Sequence, residues 1–483
     1  MILFTSNNLF AQEVKKLTFE EVIKLAEEQS PNALMAKHKF RSSYWQYRSY
    51  QAQFLPSLTL SGNAPDFSNG LTKVYDSGTN EYIYTSKNTV SSLGTLSLSQ
   101  NIGVTGTVIA LSSDLTLYKD IALKLPVNYI SDPAYIHITQ PIRQYNTLKW
   151  QKKIEPVKYN AALKTYLSNI EAVHSSAVAY FFSLALAQIN KQIAEMNYSN
   201  ADTLYRIAKG RYQLGTIAED ELLQMQLSWL NAETERKQAD MNLRDKEIRL
   251  RSFLGYNENV RLELVLPTVI PDLQVDMQEV LDLSLRNNPE ILNQQINVLN
   301  AQSNAAQAKA SKGLNASISA SLGYSQQSQY FNSAYNNLNK SQLVSMQFSL
   351  PILDWGLGKG KYQMAKSSLE LAQVQANQAL VDFQQNLFLD VEQFNLQKSQ
   401  VAIAAKSDTV AMKRYEVTKQ RFLIGKIAVL DLNDADSRKD QNKRAYVQAL
   451  EDYWSYFYNI RSLTLYDFIS RKPLETDYEK LIQ

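Results

Sequence analysis

Three histidines, His38, His137 and His174, are the only imidazoles in the chain, and there is no cysteine. The histidines stand far apart and form none of the paired ligand spacings a helix-borne metal centre needs, so they read as surface or wall residues. Without thiols there are no disulfides, no thiolate metal sites, no cysteine nucleophile and no acylated N-terminal cysteine. The glycine–lysine cluster Gly356-Leu-Gly358-Lys-Gly360-Lys361 has the spacing of neither a phosphate loop nor a dinucleotide fingerprint, and a strand-to-helix turn accounts for it. No serine elbow and no paired carboxylates frame a reaction. The residues therefore predict no enzyme, no metal and no cofactor.

Composition narrows the class. Lys plus Arg number 50 against 47 Asp plus Glu, a net charge of +3, which lacks the basic excess of a nucleic-acid binder. Hydrophobic residues at 45% and charged residues at 20% exclude a disordered chain and a helical membrane protein. The 28 Tyr, 17 Phe and 5 Trp suit an interfacial girdle or a large core. Residues 9–12 (Leu-Phe-Ala-Gln) resemble the end of a secretory signal whose charged start is missing, so 1–12 reads as a truncated signal-peptide remnant. No run reaches the ~18–20 apolar residues of a spanning helix. The nearest, Ala177–Ile189, is interrupted by Ser183 and Gln188. A membrane crossing by this chain must use strands.

The elements that position the side chains come twice. At an offset of 210, Pro141 and Ile142 match Pro351 and Ile352, Tyr205 matches Tyr415, and Arg251, Ser252 and Tyr256 match Arg461, Ser462 and Tyr466. RYQLGTIAEDEL at 211–222 and RFLIGKIAVLDL at 421–432 both obey R-[YF]-x-[LI]-G-x-I-A-x-x-[DE]-L. At an offset of 258, Glu21, Val22, Leu25, Pro31 and Leu34 match Glu279, Val280, Leu283, Pro289 and Leu292. The first copy therefore carries 48 extra residues between Pro31 and Pro141. Each copy opens with a capping box, Thr18-x-x-Glu21 and Asp276-x-x-Glu279, and restarts at Ser30-Pro31 and Asn288-Pro289.

Each half then reads as helix, strand zone, very long helix, glycine turn and return helix. Segment 357–420 is rich in Ala, Gln, Leu and Lys, lacks proline and has glycine only at its start, so about 65 residues at ~1.5 Å each make a helix near 100 Å long. In the strand zones Ile318, Ala320, Leu322 and Tyr324 interleave with serine and glycine, as do Val344, Met346, Phe348 and Leu350 with Ser345, Gln347 and Ser349. Leu58, Leu60, Ile136 and Ile138 alternate likewise. Such alternation fits a tilted membrane strand or a half-buried soluble sheet, and the pairing with very long helices favours the membrane. Four strands cannot close a barrel, so chains would have to pool them. The expected divisions are periplasmic helices at 13–54, strands and an extracellular hairpin at 55–142, helix, turn and return at 143–270, then 271–313, 314–351 and 352–468 in the second repeat, and a tail at 469–483. The extra residues hold two further strand-like runs, Leu93–Ile102 and Thr105–Tyr118, either an extracellular hairpin or wall strands. The hairpin, leaving four wall strands, is the preferred reading.

The duplicated layout, Pro351-Ile-Leu-Asp-Trp-Gly356 where a strand restarts the long helix, and the twin R-[YF]-x-x-G turns resemble the TolC-like outer-membrane efflux family, over nearly the whole chain. The resemblance implies an α+β membrane protein: a homotrimer with a 12-stranded transmembrane β-barrel, four strands per chain, continued by a periplasmic α-helical coiled-coil tunnel. It implies work with a periplasmic adaptor and an inner-membrane pump or ABC transporter, in efflux or type I secretion. The turn residues Arg211, Gly215, Ile217, Ala218, Arg421, Gly425 and Ala428 would form the adaptor-docking tip. Asp431 and Asp434 match the family's two entrance aspartates, giving a ring of carboxylates that favours cations. The position of the family's latching arginine is Ile427, and the first-copy positions that would receive it carry Asp220 and Glu221, so packing rather than an ionic latch is expected to close the entrance. The competing reading is a soluble or surface coiled-coil scaffold.

Overall fold

The computed structural model describes residues 14–121, 126–256, 260–424, 426–427 and 429–482; the expected signal remnant at 1–12 lies outside them. The first copy runs β1 (Val14–Thr18), α1 (Phe19–Gln29), α2 (Pro31–Ala52), β2 (Ser57–Asp76), β3 (Glu81–Ile102), β4 (Thr107–Asp120), β5 (Asn128–Arg143), α3 (Thr147–Gln213) and α4 (Glu219–Phe253). The second runs β6 (Arg261–Val265), α5 (Met277–Asn287), α6 (Pro289–Ser311), β7 (Asn315–Ser328), β8 (Asn339–Ser349), α7 (Leu357–Leu423) and α8 (Val429–Thr464).

The expected caps start the short helices. Thr18 N–H donates to Glu21 Oε2 (2.8 Å) while Glu21 N–H donates to Thr18 Oγ1 (3.3 Å), the reciprocal box that satisfies two orphan donors. In the second copy Asp276 accepts from Glu279 N–H at 2.9 Å, but the return bond is absent, so the motif there is a simple N-cap. Ser30 Oγ accepts from Ala33 N–H (3.1 Å), and Pro31 sits at the first helical position, where its missing N–H costs nothing. α3 and α7 are both 67 residues long, about 100 Å each.

The chain divides into two compact units. One gathers Ala161–Ile291, Leu380–Gln483 and the N-terminal segment through Ser42. Its core is aromatic: Phe19 meets Phe181 at 5.3 Å between centroids and Trp454 at 4.8 Å, and Phe394 packs on Tyr453. Phe181, Phe182, Leu184 and Leu450 are fully buried. The apolar stretch of α3 around Ala177–Ile189 is thus spent on this core. β1 and β6 pair in parallel at its margin.

The other unit is Ser43–Asn160 with Leu292–Ala379, and it is a sheet. Its order is β2-β3-β4-β5-β7-β8, every neighbouring pair antiparallel. This corrects the expected four strands to six. The two extra runs are not a hairpin set off from the wall, because the β3–β4 turn at 103–106 returns to the end where α2 stops and α3 begins. Gln100 Nε2 donates to Phe54 O (2.6 Å), Asn101 Nδ2 to Gln53 O (2.9 Å) and Asn146 Nδ2 to Gly103 O (3.1 Å). A Cβ on Gly103 would stand 2.6 Å from the Phe54 ring, so the close approach requires glycine. A hairpin clear of the neighbouring strand does exist in the upper halves of β2 and β3: β4 reaches only to Asp120, opposite Thr89, and the ribbon from Gly70 to Lys87 stands beyond it.

Register puts like with like. Leu58, Leu98, Leu111, Ile136 and Leu322 lie side by side across five strands, and all five are exposed. Ser57, Ser99, Ala110, His137 and Ser321 form the adjacent row on the opposite face. Serine rungs join across it, Ser57 to Ser99 at 2.9 Å and Ser112 to Ser97 at 2.8 Å. Leu60 is 77% exposed, Val344 75% and Phe348 72%, so the apolar face is bare along both marginal strands. A bare apolar face of this extent marks a surface made for a non-aqueous partner.

Candidate functional site

The two turns that close the long helices are built alike. After α3, Gly215 adopts φ 70°. Its N–H donates to Tyr212 O (2.9 Å) and Thr216 N–H donates to Arg211 O (3.0 Å), the paired bonds of a Schellman closure. In the second copy Lys426 N–H donates to Arg421 O at 3.0 Å, the same closing bond 210 residues on. Gly425 and Ala428 lie outside the described residues. Arg211 and Arg421 thus serve the turns through their carbonyls while their side chains are exposed. Ile217 and Ile427 are half-buried, and Ala218 is exposed as the N-cap of α4.

Carboxylates follow each turn. Glu219, Asp220 and Glu221 fill the first turn of α4, where the helix dipole favours negative charge. All three are exposed. Among the described residues neither Asp220 nor Glu221 has an ion-pair partner, and no bond joins them to the second turn. Asp431, in the first turn of α8, is exposed too. Asp434 differs. Arg414 Nη2 donates to it at 2.7 Å and Arg438 Nε at 2.9 Å, and these two hydrogen bonds hold its carboxyl below the usual carboxylate range. The two carboxylates expected to act as a pair are therefore unequal.

Behind them the wall is packed. Tyr415, Leu432 and Ala435 form a small core with Phe422 against it. Buried Lys439 is held by Asp436 (2.5 Å) and Asp440 (3.2 Å) and lies 4.1 Å from the centre of the Tyr415 ring. At the matching place in the first copy, Trp229 stacks on Tyr205 with centroids 5.7 Å apart. One repeat uses ring stacking where the other uses a cation over a ring.

Sequence reasoning missed Arg414 and Arg438. Arg438 is one helical turn beyond Asp434, a spacing visible in the sequence. Arg414 and Asp434 stand equally far on either side of residue 424, which is where antiparallel helices about the turn bring residues together. The first copy has Leu204, Gln224 and Ser228 at the corresponding positions, so the network belongs to the second repeat alone. Among the described residues no cluster of histidine and carboxylate side chains can hold a metal ion.

The fold has counterparts among solved structures. The chain's fold is similar to that of the Campylobacter jejuni CmeC outer membrane channel, with TM-score 0.67 and 16% identity over 96% of this chain and 88% of that one. It is similar to the outer membrane protein VceC of Vibrio cholerae, with TM-score 0.64 and 15% identity over 95% and 97%. It is also similar to the open state of the Neisseria gonorrhoeae MtrE outer membrane channel, with TM-score 0.52 and 15% identity over 95% and 91%. No curated protein sequence matches it. The family model for outer membrane efflux proteins matches residues 126–256 and 280–464, well over half the chain and both of its repeats. By that match the chain belongs to the outer membrane efflux protein family, and its place is the outer membrane.

Proposed function

We propose that three copies of this chain form a passive conduit that takes substrates from a periplasmic adaptor and an inner-membrane pump or ABC transporter to the exterior. The observation that carries this reading is the sheet. Its apolar face is bare, its polar face is lined with small hydroxyls, and its two margins end in unpaired strands. In lipid an open edge leaves backbone groups unsatisfied at several kcal/mol each, so copies must join edge to edge. A soluble scaffold has no use for such a face.

In this reading the helix turns are the periplasmic end. Arg211, Gly215, Ile217, Ala218, Arg421, Gly425 and Ala428 present the docking surface for the adaptor. Asp431 and Asp434, with Ile427, Asp220 and Glu221 around them, form the entrance. The channel supplies no energy and no chemistry. The type I secretion and drug-efflux versions of the role differ only in the pump. Negative-stain images of the detergent-purified protein test it. Three-fold particles with a detergent belt at one end and a long tapered extension support the conduit; a belt-free particle that stays soluble without detergent overturns it and favours the scaffold.

A further inference from the structure

Within the trimeric conduit reading, on which this rests, we propose that the wall of the assembled barrel has 18 strands, β2 of each copy pairing with β8 of the next. Six strands per chain lie in one continuous sheet. The hairpin β3–β4 is part of the wall on two grounds. Its turn reaches the helix-side end of the sheet, bonded to the end of α2 and the start of α3. Its residues also continue the apolar row, Leu98 and Leu111 standing between Leu58 and Ile136.

The occupant of each open edge is a second copy. β2 rises from the helix side and β8 descends toward it, so the two edges meet antiparallel. In β2 below its bulge at Asn63–Asp66 and in β8 the even-numbered residues form the apolar face, Leu58 and Leu60 in β2 and Val344, Met346 and Phe348 in β8. Any pairing that matches odd with odd keeps that face continuous. The lower part of β2 and the run 341–349 of β8 also lack the lysines and prolines that blunt edges meant to stay apart.

Strand number sets bore. At a strand spacing of about 4.8 Å and a tilt near 40°, 18 strands give a backbone cylinder roughly 36 Å across, against about 24 Å for 12. The polar face carries small side chains such as Ser57, Thr59, Ser99, Ser319 and Ser321, so little of that bore is filled. The exit is then wide, and it passes bulky or polymeric solutes that a 12-stranded bore would retard. Discrimination falls to the helical end.

The chain has no native cysteine, so paired cysteines report strand adjacency directly. Thr59→Cys or Ser61→Cys in β2 would be combined with Ser345→Cys, Gln347→Cys or Ser349→Cys in β8, in full-length trimer treated with a short bifunctional maleimide. The expected result is that at least one pair moves most of the protein to covalent dimer and trimer bands, while Ala110→Cys or Ser112→Cys in β4 with the same β8 partners does not. Linkage of β4 to β8, or no linkage from any β2–β8 pair in protein that is still trimeric by native mass, overturns the 18-stranded wall and leaves the conduit standing. Protein that is monomeric before treatment overturns the conduit reading itself.

Discussion

At the scale of single residues, the two acids beyond the second turn should behave differently. Asp434 is already balanced by Arg414 and Arg438, whereas among the described residues Asp431 has no ion-pair partner. In planar bilayers Asp431→Asn is expected to shift the reversal potential toward lower cation preference at least twice as far as Asp434→Asn; equal shifts would show that the arginines do not screen Asp434. Ile427, placed at the entrance by the conduit reading, cannot pair ionically. If packing closes the entrance, Ile427→Ala raises closed-state conductance and antibiotic leak several-fold, and an unchanged leak accompanied by opening on a nearby charge substitution would contradict this. Gly215 holds φ 70°, where an L-residue is strained by about 1–2 kcal/mol. Gly215→Ala should therefore lower the midpoint of thermal unfolding by about 1–2 °C without altering strand content, as read by circular dichroism.

At the scale of elements, a buried charge clamp ties α1, α3 and α8. His174 of α3 meets Glu27 of α1 at 3.2 Å and Glu171 at 3.3 Å, and Arg461 of α8 reaches Glu171 at 3.0 Å and Asp467 at 3.7 Å. Tyr458 lies tilted against His174, ring centres 5.3 Å apart, its phenol pushed up by burial. Burial alone would lower the His174 pKa, but the Glu171 and Glu27 carboxylates, as hydrogen-bond acceptors and as negative charges, outweigh it and raise it. A raised histidine pKa contributes stability that is fully present below the ordinary value near 6.5 and is lost as pH rises through the folded value. Glu27, lowered chiefly by its bond to His174, adds stability that is lost only as pH falls well below the ordinary carboxylate range. The unfolding temperature should thus be higher at pH 6 than at pH 9, and His174→Gln should flatten that slope. A slope that survives the substitution would place its origin elsewhere. Much of the element layout was legible in the sequence, because offsets of 210 and 258, Ser30-Pro31 and the twin glycine turns are local signals. Strand count was not. Leu93–Ile102 alternates with period two whether it stands in the wall or above it, and only the long-range register decides. The Arg414–Asp434 bond was hidden for the same reason, since it depends on how two helices face one another across a turn.

At the scale of the molecule, the wall and the ribbon above it are separable. Among the described residues the strands from Gly70 to Lys87 pair only with one another, so in the conduit reading exchanging this segment for a two-residue turn should leave trimer yield and transport within about twofold of the parent. Loss of the trimer on that exchange would mean the ribbon helps copies assemble. The ribbon closes itself: Tyr75 and Tyr82 stack edge to face at 5.2 Å, Lys73 covers the Tyr82 ring at 4.6 Å, and Asp76 caps the turn through Gly78 N–H at 2.9 Å. A tip that folds on its own chemistry, at the end of the sheet remote from the helices, tolerates insertion between its strands. If the conduit reading holds, it is therefore the natural place to mount a foreign epitope or affinity handle on living cells, and the first part of the protein that an antibody or a phage would meet.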